Sequence, residues 1–266
     1  MFPDGVKMTH TALTTDGLEA HDLVAYLDRE LAVERFHDYC PNGLQVAGTR
    51  RVRRLVAGVT ASRALIEAAR TAGADALLVH HGYFWKGEDP CLVGIKRDRL
   101  ALLLEAGLSL IAYHLPLDAH PEWGNNVGLG RALGWQVDAA FGGEPPLALA
   151  GHLETPLAAA GLAAALTAAL GREPLWIPGG EHPVARIGWC TGAAQDYIEQ
   201  AAARGLDAFV SGEVSERTVH VAREAGIHFY AAGHHATERF GVRALAAHLA
   251  DRFGLACDYV EVDNPV

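Results

Sequence analysis

The fold is decided by residues 55–82, which read LVAGVTASRALIEAARTAGADALLVHHG. The apolar run at 55–59 predicts a strand, and the capped stretch at 62–72 predicts a helix. A second apolar run at 76–79 is typical of a strand that is buried on both faces. Strand, helix and strand in this order predict two parallel strands joined by a right-handed crossover.

The pattern continues and then returns later in the chain. Residues 96–113 add a further helix and strand, which completes a βαβαβ unit. Residues 188–208 resemble 58–76, and strands are predicted again at 209–210 and 227–232. Two such units predict a duplicated α/β fold.

The middle of the chain has a different composition. Pro and Gly-Gly interruptions surround one Ala-rich helix, which Thr155-Pro156 is expected to open and Gly171 to end. We therefore expect a small central insertion. The predicted organisation is a flexible N-terminal leader over 1–17, a first α/β unit over 18–134, a central insertion or subdomain over 135–186 and a second α/β unit over 187–266.

Composition narrows the class of protein. The net charge of −10 disfavours binding to nucleic acid, which depends on cationic side chains that neutralise phosphates. The longest weakly apolar stretch, 157–166, is too short to span a membrane, and no secretory signal precedes it. The four cysteines lie far apart without a CxxC pair, which is typical of reduced thiols in a cytoplasmic protein.

Histidines and acids gather where the predicted strands end. In each copy the last strand is followed by a histidine and, four residues later, by an acid. Open α/β sheets place ligand sites at the carboxyl ends of their strands, so we expect these side chains to converge. They are His80, His81, His114 and Asp118 in the first copy, and Glu213, His234 and Glu238 in the second.

Imidazole and carboxylate groups in this pattern indicate a metal site. They suit Zn²⁺, Fe²⁺, Mn²⁺, Ni²⁺ or Co²⁺, and the sequence does not choose among these ions. Adjacent residues of a strand point to opposite sides, so His80 and His81 would serve one ion only if the chain broke at Gly82. Two ions roughly 3.5–4 Å apart would use both rings. Glu238 or Asp118 could bridge such a pair.

Further residues are assigned roles by position alone. His114 and Glu213 are predicted to transfer protons as catalytic residues. Trp85 and Lys86 follow the histidine pair and are predicted to contact the substrate, by stacking on a flat ring and by binding a phosphate respectively. The sequence contains no Walker loop, GxGxxG, HExxH or GxSxG motif, which disfavours P-loop, dehydrogenase, zincin and serine-hydrolase activities.

Five stretches also resemble a known family. They are DYCPNGLQVAG (38–48), GVTAS (58–62), DALLVHHGYFWKG (75–87), AYHLPLDAHPEWGNN (112–126) and SGEVSERTVHVAREAGIHFYAAGHHATERFG (211–241). The chain resembles the Nif-three-like dinuclear metal-centre family, also called GTP cyclohydrolase I type 2, and within it the short bacterial YbgI-type members. The resemblance covers roughly residues 20–266.

The resemblance implies two intertwined three-layer α/β/α units, assembled into a hexameric toroid whose metal pairs face an inner cavity. Carried over by motif, it implies five metal ligands, with His114 close by: His80, His81, Asp118, His234 and Glu238. It also implies metal-assisted hydrolytic opening of a purine ring, hence C–N bond hydrolysis of a nucleotide-like small molecule.

Three hypotheses for function follow. The leading one is a cytoplasmic hydrolase that uses two divalent metal ions per subunit on a nucleotide-like heterocycle. The alternative is a non-catalytic metal-binding adaptor or metal-storage ring, in which the ligands saturate the ions. In the third, these side chains are ordinary polar groups at strand ends and bind no metal.

Overall fold

The computed structural model describes residues 16–266, so the predicted leader falls almost entirely outside the described residues. Within this range no helix has the length and apolar character that crossing a bilayer requires. The strands are β1 (Gly43–Val46), β2 (Arg54–Thr60), β3 (Ala76–His81), β4 (Ser109–Ala112), β5 (Gln136–Phe141), β6 (Ala148–Leu157), β7 (Leu175–Ile177), β8 (Val184–Cys190), β9 (Ala208–Ser211), β10 (His228–Ala231) and β11 (Ala256–Tyr259). The α-helices are α1 (Ala20–Glu30), α2 (Arg63–Thr71), α3 (Gly94–Ala106), α4 (Leu115–Ala119), α5 (Asn125–Leu133), α6 (Ala159–Leu170), α7 (Ile198–Ala203), α8 (Glu216–Ala225), α9 (His234–Thr237) and α10 (Arg239–Phe253).

The first sheet has the order β1-β4-β3-β2-β11. Its strands are parallel except β1, which pairs antiparallel with β4. Helices α1 and α10 cover one face, where Leu27 and Leu245 are buried. Helices α2 and α3 cover the other face through Leu65 and Leu103. Both faces are apolar because β2, β3 and β4 are buried strands of the predicted kind.

The second sheet has the order β5-β6-β8-β9-β10-β7. Strands β8, β9 and β10 are parallel, and β5, β6 and β7 run antiparallel to their neighbours. Helices α5 and α6 pack on one face, around Leu129, Leu166 and Trp189. Helices α7 and α8 pack on the other, around Phe209. Each unit therefore has three layers, which confirms the predicted α/β fold class.

The two sheets repeat one topology, β2-α2-β3-α3-β4 and β8-α7-β9-α8-β10. Ala76 lies opposite Leu55 in the first sheet as Ala208 lies opposite Ile187 in the second. The glycines that mark the repeat in the sequence are not equivalent, however, because Gly58 and Gly188 occupy different positions in this register. The repeat is one of topology and strand register, rather than of individual glycines.

The two units exchange helices. Helix α5 follows the first repeat but buries Leu129 against the second sheet. Helix α10 follows the second repeat but buries Leu245 against the first sheet, after which β11 joins that sheet. The exchanged helices meet where Gly128 lies against Phe240. This exchange makes the units intertwined and brings the ends of β3, β4 and β10 to one place.

The predicted central insertion is part of the second sheet. Its strands β5 and β6 extend the sheet from β8, and β7 pairs with β10. The predicted boundary between 186 and 187 falls inside β8. The prediction that Thr155-Pro156 opens the Ala-rich helix was wrong, because both residues continue β6 and α6 begins at Ala159. Gly171 ends α6 as predicted, with a φ of +75°.

Candidate metal centre

The predicted side chains lie together in one buried place, at the carboxyl ends of the strands. His80 and His81 end β3, while His114 lies two residues after β4 and His234 three residues after β10. A short helix begins just after His114 (α4) and at His234 (α9). In each case the helical turn places an acid on the same side as the histidine four residues before it, because helical residues four apart share a face. The predicted convergence is therefore present in the structure.

One group of ligand atoms consists of His80, Asp118 and Glu238, all fully or almost fully buried. Nε2 of His80 lies 3.4 Å from Oδ1 of Asp118 and 3.5 Å from Oε1 of Glu238. Nδ1 of His80 donates to the carbonyl of Tyr113 at 2.9 Å. In the neutral ring Nε2 is then an acceptor that faces two other acceptors, an arrangement that is repulsive unless a cation lies between them.

A second group consists of His81, His234 and Glu238. Oε2 of Glu238 lies 3.1 Å from Nε2 of His81 and 3.0 Å from Nε2 of His234. The rings of His80 and His81 are 4.6 Å apart, yet the two histidines serve different groups, as expected for neighbours on a strand. Glu238 belongs to both groups, so of the two predicted bridging acids it is the one placed between them.

The donor set fits divalent metal ions. Nitrogen and oxygen ligands of such ions bind at about 2.0–2.2 Å, so two ligands of one ion lie roughly 3–4 Å apart. The four contacts above lie in that range. Within residues 16–266, Nε2 of His80 and Oε2 of Glu238 are buried without a hydrogen-bond partner, because these contacts lack hydrogen-bond geometry. Buried polar atoms of this kind normally have a partner, and a cation would provide one.

The pKa values of these side chains also indicate that the centre attracts positive charge. Burial disfavours protonation of His80, but the neighbouring carboxylates outweigh burial and raise its pKa to about 9. Glu238 likewise outweighs burial at His234 and raises that pKa to about 9. At His81 burial prevails and lowers the pKa to about 4. Burial alone would raise the pKa of Glu238, yet the imidazoles hold it well below the usual value. The centre therefore favours positive charge.

Buried amide and hydroxyl groups hold Asp118. Nδ2 of Asn125 donates to Oδ1 of Asp118 at 2.9 Å, and the hydroxyl of Thr191 donates to the same oxygen at 3.3 Å. The other end of Asn125 accepts from the backbone N–H of Gly241 at 2.6 Å. Asn125 thus ties the acid of the first unit to the helix exchanged from the second. Asn125 is the first residue of α5.

A glycine turn makes room for Glu238. Gly192 has a φ of +68°, and a Cβ at this position would lie 2.1 Å from Oε1 of Glu238. The hydroxyl of Thr237 accepts from the N–H of Gly192 at 3.1 Å. The close approach of this turn therefore fixes where the shared carboxylate can lie.

His114 and Glu213, predicted as catalytic residues, are oriented by different contacts. The ring of His114 lies 5.1 Å from that of His80, and its Nδ1 donates to Oδ1 of Asp38 at 2.7 Å. Glu213 accepts from Nδ1 of His234 at 2.6 Å, on the side of that ring away from Glu238. Glu213 therefore contacts the outer nitrogen of a predicted ligand.

Of the two residues predicted to contact the substrate, Trp85 lies beside the centre and Lys86 is exposed. The ring of Trp85 is 5.0 Å from that of His114 and 5.9 Å from that of His81, so it stands at the rim. Lys86 is exposed, and its backbone N–H donates to the carbonyl of Tyr39 at 2.6 Å. The structure thus brings Trp85 to the centre but leaves the amine of Lys86 without an assigned contact.

A cavity of about 380 Å³ opens from the centre. It is lined by three of the predicted ligands and by two tyrosines: His234, Glu238, Asp118, Tyr39 and Tyr197. Asp196 also lines it, whereas no Lys or Arg of the described chain does. The cavity is therefore acidic and partly aromatic, and it reaches the predicted ligands directly.

Sequence reasoning did not identify Asp38, Thr191 or Asn42 as residues of the site. Asn42 in fact accepts from the N–H of His114 at 2.8 Å and donates to Asp38 at 2.9 Å. The only signal in the sequence was an acid, Asp38, shortly before the Asn42-Gly43 pair. Their link to His114 depends on the pairing of β1 with β4, which the sequence does not display.

Comparisons with known sequences agree with this geometry. The family described as Duf34/NIF3 (NGG1p interacting factor 3) matches residues 18–265. A Pseudomonas aeruginosa protein named GTP cyclohydrolase 1 type 2 homolog is 56% identical over 245 residues, which cover 91% of this chain and 97% of the relative. An Escherichia coli K12 protein of the same name is 49% identical over 245 residues, covering 92% and 98% respectively.

Solved structures show the same fold. Protein ybgI, described as of unknown function, has a TM-score of 0.91 and 48% identity, over 94% of this chain and 100% of that one. A Thermus thermophilus protein has a TM-score of 0.84 and 36% identity over 94% and 100%. The match of the family over nearly the whole described range, together with these relatives, shows that the chain belongs to the Duf34/NIF3 family.

Proposed function

We propose that the protein binds two divalent metal ions in this centre and uses them to hydrolyse a C–N bond of a nucleotide-like heterocycle. The observation that carries the proposal is the position of Glu238, whose carboxylate belongs to both ligand groups. His80 and Asp118 complete one group, and His81 and His234 complete the other. A single buried carboxylate shared in this way is the arrangement expected of a paired metal site.

The chemistry requires water, a base and a bound substrate. Paired divalent ions make water a stronger nucleophile near neutral pH and stabilise developing negative charge on oxygen. The water oxygen would bond to the ring carbon, and the departing nitrogen would take a proton. Of the two groups predicted to transfer protons, His114 lines the cavity and Glu213 does not. The name shared by the curated relatives, GTP cyclohydrolase 1 type 2 homolog, supports this reaction class.

The cavity supports a flat ring as the part of the substrate that enters. Tyr39 and Tyr197 offer aromatic faces, and Asp196 offers an acceptor for ring N–H groups. The acidic lining disfavours a phosphate inside the cavity, so the phosphates of a nucleotide would point outward. Lys86 is exposed and is retained as their predicted contact.

The test is a turnover assay with controls at the centre and in the cavity. Protein loaded with Mn²⁺ or Zn²⁺ is incubated with GTP and with guanosine, and ring opening is followed by absorbance and by formate release. We expect turnover that E238Q abolishes, and a raised KM without loss of metal in Y197L. Bound metal without turnover of either compound would reject the hydrolase and favour the adaptor or storage function. If the protein binds no metal, the third hypothesis remains, in which these side chains are ordinary polar groups at strand ends.

Assembly and location are proposed on separate grounds. We propose the hexameric ring of the resembling family, which is supported by exposed apolar side chains at and beside the start of α3: Leu92, Val93 and Ile95 are 56–71% exposed. Light scattering of the purified protein tests this. A cytoplasmic location is proposed because all four cysteines are unpaired, as in a reducing compartment.

A further inference from the structure

Each unit holds the ring of the histidine after its third parallel strand in the same way. Nδ1 of His114 donates to Oδ1 of Asp38 at 2.7 Å, and Nδ1 of His234 donates to Oε1 of Glu213 at 2.6 Å. The two carboxylates come from unrelated places in the chain. Asp38 precedes β1, whereas Glu213 follows β9. Two different segments therefore make one contact at equivalent positions of the repeat.

Asp38 is itself fixed in place. Its side chain is 3% exposed and accepts three hydrogen bonds besides that of His114. The donors are the backbone N–H of Tyr39 at 2.6 Å, Nδ2 of Asn42 at 2.9 Å and the backbone N–H of Leu115 at 3.0 Å. A carboxylate with this many donors has no freedom to turn away from the ring.

A carboxylate on Nδ1 decides which nitrogen of the ring is free. It keeps the proton on Nδ1 of the neutral ring, so that Nε2 carries the lone pair. For His234 this nitrogen already faces Oε2 of Glu238 at 3.0 Å. For His114, one ring nitrogen lies within 4.8 Å of ligand atoms of His80 and His81.

We propose that Asp38 and Glu213 are a matched pair of positioning residues, one for each unit, which fix the tautomer and orientation of His114 and His234 so that Nε2 of each faces the metal centre. The inference rests on the proposed metal function and extends it to residues outside the ligand set. It gives Glu213 a different role from the predicted proton transfer. It also gives His114 the same position relative to the centre as His234.

The test uses D38N and E213Q, which remove the charge and keep the size of the side chain. Metal affinity is measured by competition with a chelator, and the unfolding free energy is measured in parallel. We expect each variant to bind metal about 10–100-fold more weakly. The matched control is D28N. Asp28 accepts from the hydroxyl of Tyr113 at 2.7 Å, next to His114 in the chain but without contact to an imidazole. D28N should lose stability without loss of metal affinity.

A second readout does not need metal. In metal-free protein at about pH 10, ¹⁵N NMR of the imidazoles reports the tautomer of each neutral ring. We expect His114 and His234 as Nδ1–H tautomers, assigned against H114N and H234N, and a shift toward Nε2–H in D38N and E213Q respectively. Folded variants with unchanged tautomers and unchanged metal affinity would overturn the inference. Wild-type protein that binds no metal, but whose tautomers shift in the variants, would reject the metal function and keep the positioning role.

Discussion

The two βαβαβ units share a frame but contribute different chemistry. At the end of the middle strand, the first unit carries His80 and His81, whereas the second carries Ser211. The hydroxyl of Ser211 donates to the carbonyl of Gly192 at 3.0 Å and thereby supports the turn against Glu238. The middle strand of the first unit therefore supplies candidate ligands, whereas that of the second supplies a hydroxyl that holds the Gly192 turn, against which the shared carboxylate lies.

A duplicated fold can in this way build one asymmetric site. Both units keep a histidine and an acid after the third strand, so each contributes two polar groups at the same edge. Exchange of α5 and α10 then brings the two edges together. Because the two edges form a single site, a polar group supplied by one unit is not needed at the equivalent position of the other unit.

The largest effect is expected at Glu238, the carboxylate that both ligand groups share. E238Q removes the charge that both ligand groups share, so bound metal should fall from two ions per chain to fewer than one. Elemental analysis of the purified variant measures this, and circular dichroism checks the fold. The matched control is E261Q, since Glu261 also contacts a histidine, His235, but lies outside the ligand groups. Equal metal content in the two variants would contradict a shared carboxylate.

The next effect tests the supporting turn of the second unit. In G192A the new methyl would meet Glu238 at 2.1 Å in a backbone with positive φ, so we expect a loss of about 3 kcal/mol in unfolding free energy and weaker metal binding. The control G134A has a similar φ of +71° but nothing within 4 Å of its Cβ. It should lose about 1 kcal/mol and keep its metal affinity. Urea unfolding and chelator competition measure both, and similar losses would show that the turn does not shape the centre.

A pH series tests the charge balance between the units. His80 and His234 each have a pKa raised from 6.5 to about 9 in the folded, metal-free protein. Folding therefore takes up protons, and this stabilisation is complete below pH 6.5 and lost as the pH rises through 9. We expect the unfolding free energy to fall as the pH rises over this range. H234Q should reduce the fall, and saturating metal should remove it. A flat metal-free profile would contradict this charge balance.

The smallest effect concerns the link between the units. N125A removes the donor to Asp118 and the acceptor for Gly241, both of which are buried. We expect a loss of about 1–2 kcal/mol in unfolding free energy and a modest fall in metal affinity. Q45A is the comparison, because Gln45 makes two partly buried hydrogen bonds with the backbone of Tyr83 and belongs to neither ligand group. If N125A kept full metal affinity, the link would serve the fold alone.

Much of the fold and most of the site could be predicted from the sequence. The buried strands of each repeat are continuous apolar runs, and the polar groups follow them directly, so their convergence required only the topology of a parallel sheet. Strands β5 to β7 were not predictable in the same way. Strand β5 is exposed over five of its six residues and has no alternating pattern, and Thr155-Pro156 imitates a helix start within β6.

The contacts around His114 were not predictable for another reason. Asp38 and Asn42 reach it only because β1 turns back to pair antiparallel with β4. Short-range patterns do not encode such a pairing across a long stretch of sequence. Residues that orient the candidate ligands therefore become visible only in three dimensions, even where the candidate ligands themselves can be proposed from a motif.

The most direct test of a metal pair bridged by Glu238 is an anomalous difference map from crystals of the protein grown with Mn²⁺. We expect two peaks per chain, roughly 3.5–4 Å apart. One peak should contact His80 and Asp118, the other His81 and His234, and both should contact Glu238. A map with no peak among these side chains, or with a single peak that Glu238 does not contact, would contradict the paired site.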